Sequence, residues 1–540
     1  MTGASGQARV DFWSVEGEPG EAARVLAAAL SPEELLGQLF MMTYPGTEPS
    51  PLLFEWIRTR ALGGIKVFGW NAEDTGLLAR VVARVQEAAA ASPHGIPPLV
   101  ATDQEGGWIR HVKGGTSETP GAMAIGASGR PVDAYRAGLY IGRELSALGV
   151  TMNFAPTVDL ATRPRSPIIG SRAFSDDPAT VGALATAFYR GMDAAGVACT
   201  AKHFPGHGDT ELDSHGILPV IDIDPATLWD RELVPYRMLA AEGIPAVMSG
   251  HLAYPRVSGD STPASLSPAL LEGYLRERIG FDGVVVTDDL FMSGAAISGG
   301  FAEACVRALE AGNDIIMISR TLGLDDRAWT RLLDKYREEP DFAARVRRSA
   351  ERVLELKLRY LRPRGKSGVG PAPESERALR SDESKAFFLD LAARSATALP
   401  GWKGPLFPSE AGRVLLVGQY GDFFAEGSLA YPAAAWFRYS YSPADAPVAA
   451  ELESLLSLAG RFDSIVLSVS NRAGEAYLEA LADQGRKVWV VSSLSPAFSL
   501  GERRRAGGIA VYGYSRESFA AAFAALSGGI EPSGRLPFTP

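Results

Sequence analysis

The feature that most constrains the fold is a repeated alternation of short apolar runs and amphipathic segments through about the first 360 residues. Eight apolar runs have the length of buried strands, at 38–43, 64–69, 98–103, 150–155, 196–200, 246–249, 283–288 and 314–319. This alternation predicts a parallel sheet with crossover helices, and eight units predict an α/β fold of the (β/α)8 TIM-type barrel class. A doubly wound open sheet is the alternative fold. No G-x-G-x-x-G turn follows the first strand to support it.

The sequence after residue 360 predicts a second, smaller domain. Residues 361–373 are rich in proline, glycine and charge, which is typical of a linker. Beyond them, apolar runs at 413–417, 464–469, 487–491 and 508–512 predict strands. The sequence therefore predicts a barrel domain over 1–360, a linker over 361–380 and a smaller α/β layer domain over 381–540.

Composition narrows the class of protein. A chain of 540 residues with 46% hydrophobic and 21% charged residues is typical of a soluble globular protein of two domains. The net charge of −10 argues against nucleic-acid and anionic-membrane partners. Cys199 and Cys305 lie in apolar segments and are expected to be reduced core residues. No secretory leader or membrane-spanning run is visible, so we expect a cytoplasmic protein.

Polar side chains follow five of the predicted barrel strands at the point where each strand ends. A lone aspartate or histidine there would usually be a structural hydrogen-bonding residue. The carboxyl ends of barrel strands meet on one face, however, so five such positions together favour a functional site. The segments begin at Asp103, Asn153, Lys202, Ser249 and Asp288.

The densest cluster is the loop 201–215, which holds three of the six histidines. Asp213 is two residues from His215, and a carboxylate so placed can fix the tautomer of an imidazole and raise its basicity. Asp288 follows an apolar strand and is suited to nucleophilic attack, with Asp289 as the neighbouring alternative. A carboxylate nucleophile and an acid/base group are the pair that a retaining glycosidase needs.

Metal-dependent hydrolysis is the rival chemistry. His203, His207, Asp213 and His215 are all residue types that bind divalent cations. The loop around them is rich in glycine, and the His203-x-x-x-His207 spacing does not lie on a helix as it does in zinc peptidases. We therefore predict no metal and no cofactor.

At these residues the sequence resembles family 3 glycoside hydrolases, in particular their bacterial β-N-acetylglucosaminidase (β-hexosaminidase) branch. The segment 202–215 is similar to the signature loop of that family. Further family motifs match in the same order at 103–107, 153–156, 170–174 and 287–290. The segment 532–537 resembles the end of the family's second domain.

The resemblance implies a role for each matched residue. Asp288 is the expected nucleophile, His215 the acid/base and Asp213 its partner. The residues expected to contact sugar hydroxyls are Asp103, His111, Arg172, Lys202 and His203. The family usually has an arginine at the position of His111, and here Arg110 lies beside it.

The resemblance implies a retaining exo-β-N-acetylglucosaminidase that removes terminal N-acetylglucosamine from cell-wall muropeptide or chitin-type fragments. The expected partner is thus a small amino-sugar oligosaccharide, and the sequence makes no prediction of oligomeric state. A phosphorylase is an alternative, because a histidine repels phosphate less than a carboxylate would. A β-glucosidase of the same family is another. A non-catalytic sugar-binding protein would be expected to lack Asp288 or His215, and both are present.

Overall fold

The computed structural model describes residues 10–214, 216–296, 299–372, 375–441, 445–500 and 507–540. Ten strands lie in the described residues up to 320, and β4 and β5 form a separate antiparallel hairpin. In chain order they are β1 (Phe40–Met42), β2 (Gly64–Val67), β3 (Leu99–Thr102), β4 (Gln104–Gly106), β5 (Ile109–Arg110), β6 (Met152–Asn153), β7 (Ala198–Phe204), β8 (Ala246–Ser249), β9 (Val284–Thr287) and β10 (Ile316–Ile318).

The other eight strands form one parallel sheet that closes on itself. The strand order is β10-β1-β2-β3-β6-β7-β8-β9. The two end strands meet through a parallel bridge between Val286 and Ile315, and the Thr287 N–H donates to the Ile315 carbonyl at 3.0 Å. Every residue of these eight strands is buried, as expected for a sheet covered on both faces. The predicted (β/α)8 barrel is confirmed.

Helices surround the barrel, and most of them begin with a proline in the first turn, where no backbone N–H is needed. The sequence also fixes where a helix begins through capping residues. Ser31 Oγ accepts from the Glu34 N–H, while the Glu34 side chain accepts from the Ser31 N–H. The helices are Pro19–Ala29, Pro32–Gly37, Pro51–Arg60, Thr75–Ala90, Ala122–Ser128, Pro131–Ala147, Pro178–Ala194, Pro225–Thr227, Val234–Ala241, Pro255–Ser258, Gly300–Ala311, Arg327–Glu338 and Pro340–Tyr360, with π-helical turns at Leu228–Glu232 and Ala269–Arg278.

A second sheet follows, with β11 antiparallel to β16 and the other neighbours parallel. Its order is β11-β16-β15-β14-β12-β13. The strands are β11 (Thr397–Ala398), β12 (Val414–Gly418), β13 (Ala435–Arg438), β14 (Ser464–Val469), β15 (Val488–Ser492) and β16 (Gly508–Ala510). The short helix Ser375–Ala378 contacts the barrel helices Thr75–Ala90 and Pro131–Ala147. The helices that accompany the second sheet are Asp382–Ser395, Gly421–Ala430, Ala449–Ala459, Arg472–Asp483 and Arg516–Leu526. The predicted smaller α/β layer domain is confirmed, while its exact boundaries stay a prediction.

The second sheet packs against a loop of the barrel. Ile169 and Ala173, which follow β6, belong to the same apolar cluster as Leu415 and Leu467 of the second sheet. Arg165 of that loop makes a two-pronged ion pair with Glu475, at 3.0 and 2.5 Å. The second domain therefore supports a segment that leads directly into the barrel's carboxyl-end face. Within the described parts of the chain, no helix is long and apolar enough to cross a membrane.

Candidate active site

The carboxyl ends of the barrel strands surround a cavity of about 390 Å³. Six of the predicted site residues line it together: Asp103, His111, Arg172, Lys202, His203 and Asp288. Asp213 precedes Ser214, which also lines the cavity. His215 lies outside the described residues, so the geometry of the Asp213–His215 pair stays a prediction.

Asp103 lies between two lysines at the end of β3. Lys202 Nζ lies 2.5 Å from Asp103 Oδ1, and Lys66 Nζ contacts Oδ2. His111 Nδ1 lies 3.5 Å from the same Oδ2. Burial raises the pKa of the Asp103 carboxyl, but Lys202 and Lys66 lower it by more, so that its pKa lies well below the ordinary value. Asp103 is therefore an ionised acceptor at neutral pH.

Glu105 extends this charge network across the cavity wall. Arg172 donates from Nε and Nη2 to the two Glu105 oxygens at 2.8 and 2.7 Å. Lys202 Nζ lies 2.6 Å from Glu105 Oε1, so this lysine bridges two carboxylates. Burial raises the pKa of Glu105, but Arg172 and Lys202 outweigh burial and bring the pKa to about 2. The result is a buried array of donors and acceptors in fixed positions.

His203 is oriented by a carboxylate behind it. Its Nδ1 lies 2.7 Å from Asp159 Oδ2, and the backbone N–H groups of His203 and His207 donate to Oδ1 at 3.2 and 2.6 Å. Burial raises the pKa of Asp159, but His203 outweighs it and the pKa falls to about 2. An ionised Asp159 assigns the ring proton to Nδ1. His203 Nε2 faces Arg172 Nη2 at 3.4 Å.

Asp288 stands at the end of β9 with its carboxylate in the cavity. Its Oδ1 accepts from the Asp289 N–H at 2.8 Å. Burial raises the pKa of Asp288, but His251, His203, the Asp289 N–H and Lys202 together lower it by more. The carboxylate is thus ionised, which a nucleophile requires. By contrast, Asp289 Oδ1 accepts from two backbone N–H groups, those of Phe291 and Ser319, both at 3.1 Å.

The loop that ends in Asp213 and Ser214 is held by the barrel. Ser214 Oγ lies 3.4 Å from His207 Nε2, and the Ser214 carbonyl accepts from the Gly294 N–H at 3.1 Å. A Cβ at Gly294 would lie 2.9 Å from the Ser214 carbonyl oxygen, so this close approach requires glycine. Burial lowers the pKa of His207 to about 4, and its imidazole is neutral at pH 7.

Two histidines of the rival metal hypothesis have other partners in the structure. His203 contacts Asp159, and His207 contacts Ser214. Among the residues that the structure describes, which leave out position 215, no group of three or more His, Cys, Asp or Glu is arranged to bind a metal ion.

Sequence reasoning did not assign four residues of the site: Lys66, Glu105, Asp159 and His251. The sequence did contain a signal for Lys66, because it is a lone lysine in an apolar strand. In the structure its side chain is only 1% exposed. His251 is fully buried and bridges Ser265 Oγ at 2.7 Å and the Asp289 carbonyl at 2.9 Å. It thereby supports the turn that presents Asp288.

The chain is similar to known proteins in sequence and in structure. The family model "Glycosyl hydrolase family 3 N terminal domain" matches residues 32–356. Beta-hexosaminidase from Thiobacillus denitrificans is 38% identical over 280 residues, which cover 50% of this chain and 75% of that protein. Beta-hexosaminidase A from Pseudoalteromonas piscicida is 33% identical over 339 residues, which cover 57% of this chain and 56% of that longer protein.

A solved structure is similar over both domains. It is that of a glycoside hydrolase family 3 beta-N-acetylglucosaminidase from a Paenibacillus species. The TM-score is 0.86 at 32% identity, and the match covers 94% of this chain and 99% of that one.

The Glu105 network generates a pH prediction. The pKa of about 2 lies below the ordinary 4.5, so the stability that Glu105 contributes is complete above pH 4.5 and is lost as the pH falls towards 2. We expect Glu105→Gln to lower the free energy of unfolding by about 3–5 kcal/mol at pH 7, because it breaks a buried ion pair. The deficit should shrink between pH 4.5 and 2.5, as followed by thermal unfolding.

Glu242→Gln is the matched control, because Glu242 pairs with Arg190 on the surface, where both side chains are nearly half exposed. A Glu105→Gln deficit that stays constant from pH 7 to pH 2.5 would contradict the assignment.

Proposed function

The chain belongs to glycosyl hydrolase family 3, and from that premise we propose that it is a retaining exo-β-N-acetylglucosaminidase acting on cell-wall or chitin-type fragments. The observation that supports this most is the cavity in which ionised Asp288 lies among Asp103, Lys202, Glu105 and Arg172. The relatives named beta-hexosaminidase and the solved beta-N-acetylglucosaminidase structure support the choice of N-acetylglucosamine.

In the proposed reaction, Asp288 attacks the anomeric carbon as the glycosidic bond breaks. His215 gives its proton to the departing oxygen, and a covalent glycosyl–Asp288 ester forms. His215 then takes a proton from water, whose oxygen attacks the same carbon and releases Asp288. Two inversions give net retention. Asp213 orients His215 and stabilises its charged form.

The remaining site residues are proposed to bind sugar hydroxyls. Asp103 offers acceptor oxygens, whereas Lys202 and Arg172 offer donors. His203 presents Nε2, because its Nδ1 is held by Asp159. Burial, with Lys66 adding to it, lowers the pKa of His111 to about 4, so His111 contacts a hydroxyl as a neutral ring.

The proposed partner is a small amino-sugar oligosaccharide. A net charge of −10 supports the absence of nucleic-acid and anionic-membrane partners. A cytoplasmic setting is proposed with it, and the buried free thiols of Cys199 and Cys305 are compatible with a reducing compartment. We retain the division into residues 1–360, 361–380 and 381–540, with the acid/base group in the first domain.

Two measurements test the proposal: which sugar the enzyme prefers to cleave, and which product forms first. We expect β-linked nitrophenyl N-acetylglucosaminide to be cleaved far faster than the β-glucoside, with free N-acetylglucosamine of β configuration as first product in phosphate buffer. Proton NMR of the early product measures its configuration. A sugar 1-phosphate would favour the phosphorylase, and preference for the glucoside would favour the β-glucosidase.

Asp288→Asn should lower kcat by roughly 10³-fold or more, because the amide is a poor nucleophile and the ester cannot form. Thermal unfolding should show that the variant remains folded. Asp289→Asn is the comparison variant, and a smaller loss is expected because Asp289 holds the turn through its backbone contacts. An Asp288→Asn enzyme that is faster than Asp289→Asn would overturn the assignment.

His215→Ala should slow alkyl glycosides by about 10²–10⁴-fold, because their leaving oxygen needs a proton. Nitrophenyl glycosides should lose less, since nitrophenolate departs with little protonation. Asp213→Ala should show the same pattern with smaller losses, because Asp213 acts through the imidazole. The measurement is kcat/KM on both substrate types, and equal losses on the two would assign His215 a structural role.

A further inference from the structure

An aromatic wall runs from the charged depth of the cavity to its mouth. At the depth, Lys66 Nζ contacts Asp103 and lies 4.8 Å from the centre of the Phe68 ring. Phe68 stacks on Trp70, with ring centres 4.5 Å apart and planes 10° apart. Trp70 lines the cavity and is 48% exposed. Exposure of the side chains therefore increases in order along the wall.

Trp70 is held in place before any ligand binds. It lies in the single turn Gly69–Asn71, which buried Asn71 fixes. Asn71 Oδ1 accepts from the Phe68 N–H at 2.8 Å, and its Nδ2 donates to the Tyr44 carbonyl at 2.9 Å. Trp70 Nε1 donates to the same carbonyl at 3.4 Å. A large ring held rigidly at the surface of a cavity loses little conformational entropy when a ligand covers it.

The chemistry of this surface matches one face of a pyranose. In a β-linked N-acetylglucosamine unit the ring substituents are equatorial, so the axial C–H groups form apolar faces. Such a face can cover an indole ring, and aromatic side chains are suited to stacking against flat ligand surfaces. The charged network at the depth instead matches the hydroxyl groups of a sugar.

We propose that Trp70 is the stacking platform for the sugar ring on the leaving-group side of the scissile bond. The inference rests on the proposed function and extends it. An exo-acting enzyme binds the terminal sugar at the depth, where Asp103 and Lys202 lie, and the chain then continues from C1 towards the mouth. The exposed end of the wall, Trp70, meets the second ring. The substrate class is therefore a saccharide with at least two β-linked pyranose rings.

The kinetic test compares two substrates that share the terminal sugar. One is N,N′-diacetylchitobiose, and the other is methyl β-N-acetylglucosaminide, which has no second ring. Trp70→Ala should lower kcat/KM for the disaccharide roughly tenfold more than for the methyl glycoside, because the stacked area is lost. Trp70→Phe should restore most of that difference. Trp436→Ala is the matched control, since Trp436 is 56% exposed on β13 of the second sheet.

A binding measurement separates this inference from the proposed function. In the Asp288→Asn background, diacetylchitobiose should change tryptophan fluorescence more than N-acetylglucosamine does, and Trp70→Phe should abolish that difference. If the unmodified protein cleaves neither substrate, the proposed function is refuted. The fluorescence titration would still decide the role of Trp70. Equal kinetic losses on both substrates, or a fluorescence difference that survives in Trp70→Phe, would overturn the platform.

Discussion

The site depends on one buried network of charges centred on Lys202. This lysine contacts both Asp103 and Glu105, and Arg172 completes the pairing of Glu105. Moving such groups out of water costs several kcal/mol for each ion, and only mutual pairing with good hydrogen bonds offsets that cost. The network is thus one unit, and loss of any member leaves a buried charge without its counterpart. The network requires that β3, β7 and the turn Gly170–Arg172 keep fixed positions relative to one another.

This requirement gives the second domain a physical role in the site. Ile169 and Ala173, on either side of the turn that presents Arg172, pack in the same apolar cluster as the second sheet. The helix Arg472–Asp483 adds two ion pairs from its first turn, Glu475 with Arg165 and Arg472 with Glu211 at 3.2 Å. The Arg472 pair is exposed and contributes little energy. The geometry nevertheless links the second domain to two of the loops that border the cavity.

Much of the fold could be predicted from the sequence, because most barrel strands are short, largely apolar runs. The strands that were not predicted give no such signal. The hairpin strands β4 and β5 have three and two residues, β13 alternates between half-buried and exposed residues, and the two-residue β11 follows a helix after one residue. Polar residues were expected to meet where the barrel strands end, and this expectation identified Asp103, Lys202 and Asp288. It did not identify Asp159 and His251 as supports of His203 and Asp288, because that support comes from contacts between different β/α units of the barrel, which spacing along the chain does not encode.

The position of His111 shows how the site is charged without a cation at that residue. The resemblance to family 3 led us to expect an arginine there, which would place a cation beside Asp103. Here the imidazole has a pKa of about 4 and is neutral at pH 7. Lys66, from the neighbouring strand β2, reaches the same Asp103 oxygen and lies 3.5 Å from His111 Nδ1. The cations beside Asp103 thus come from the rigid strands β2 and β7 and not from the loop. The neutral His111 ring lies against Phe68, where the aromatic wall begins, with ring centres 5.6 Å apart.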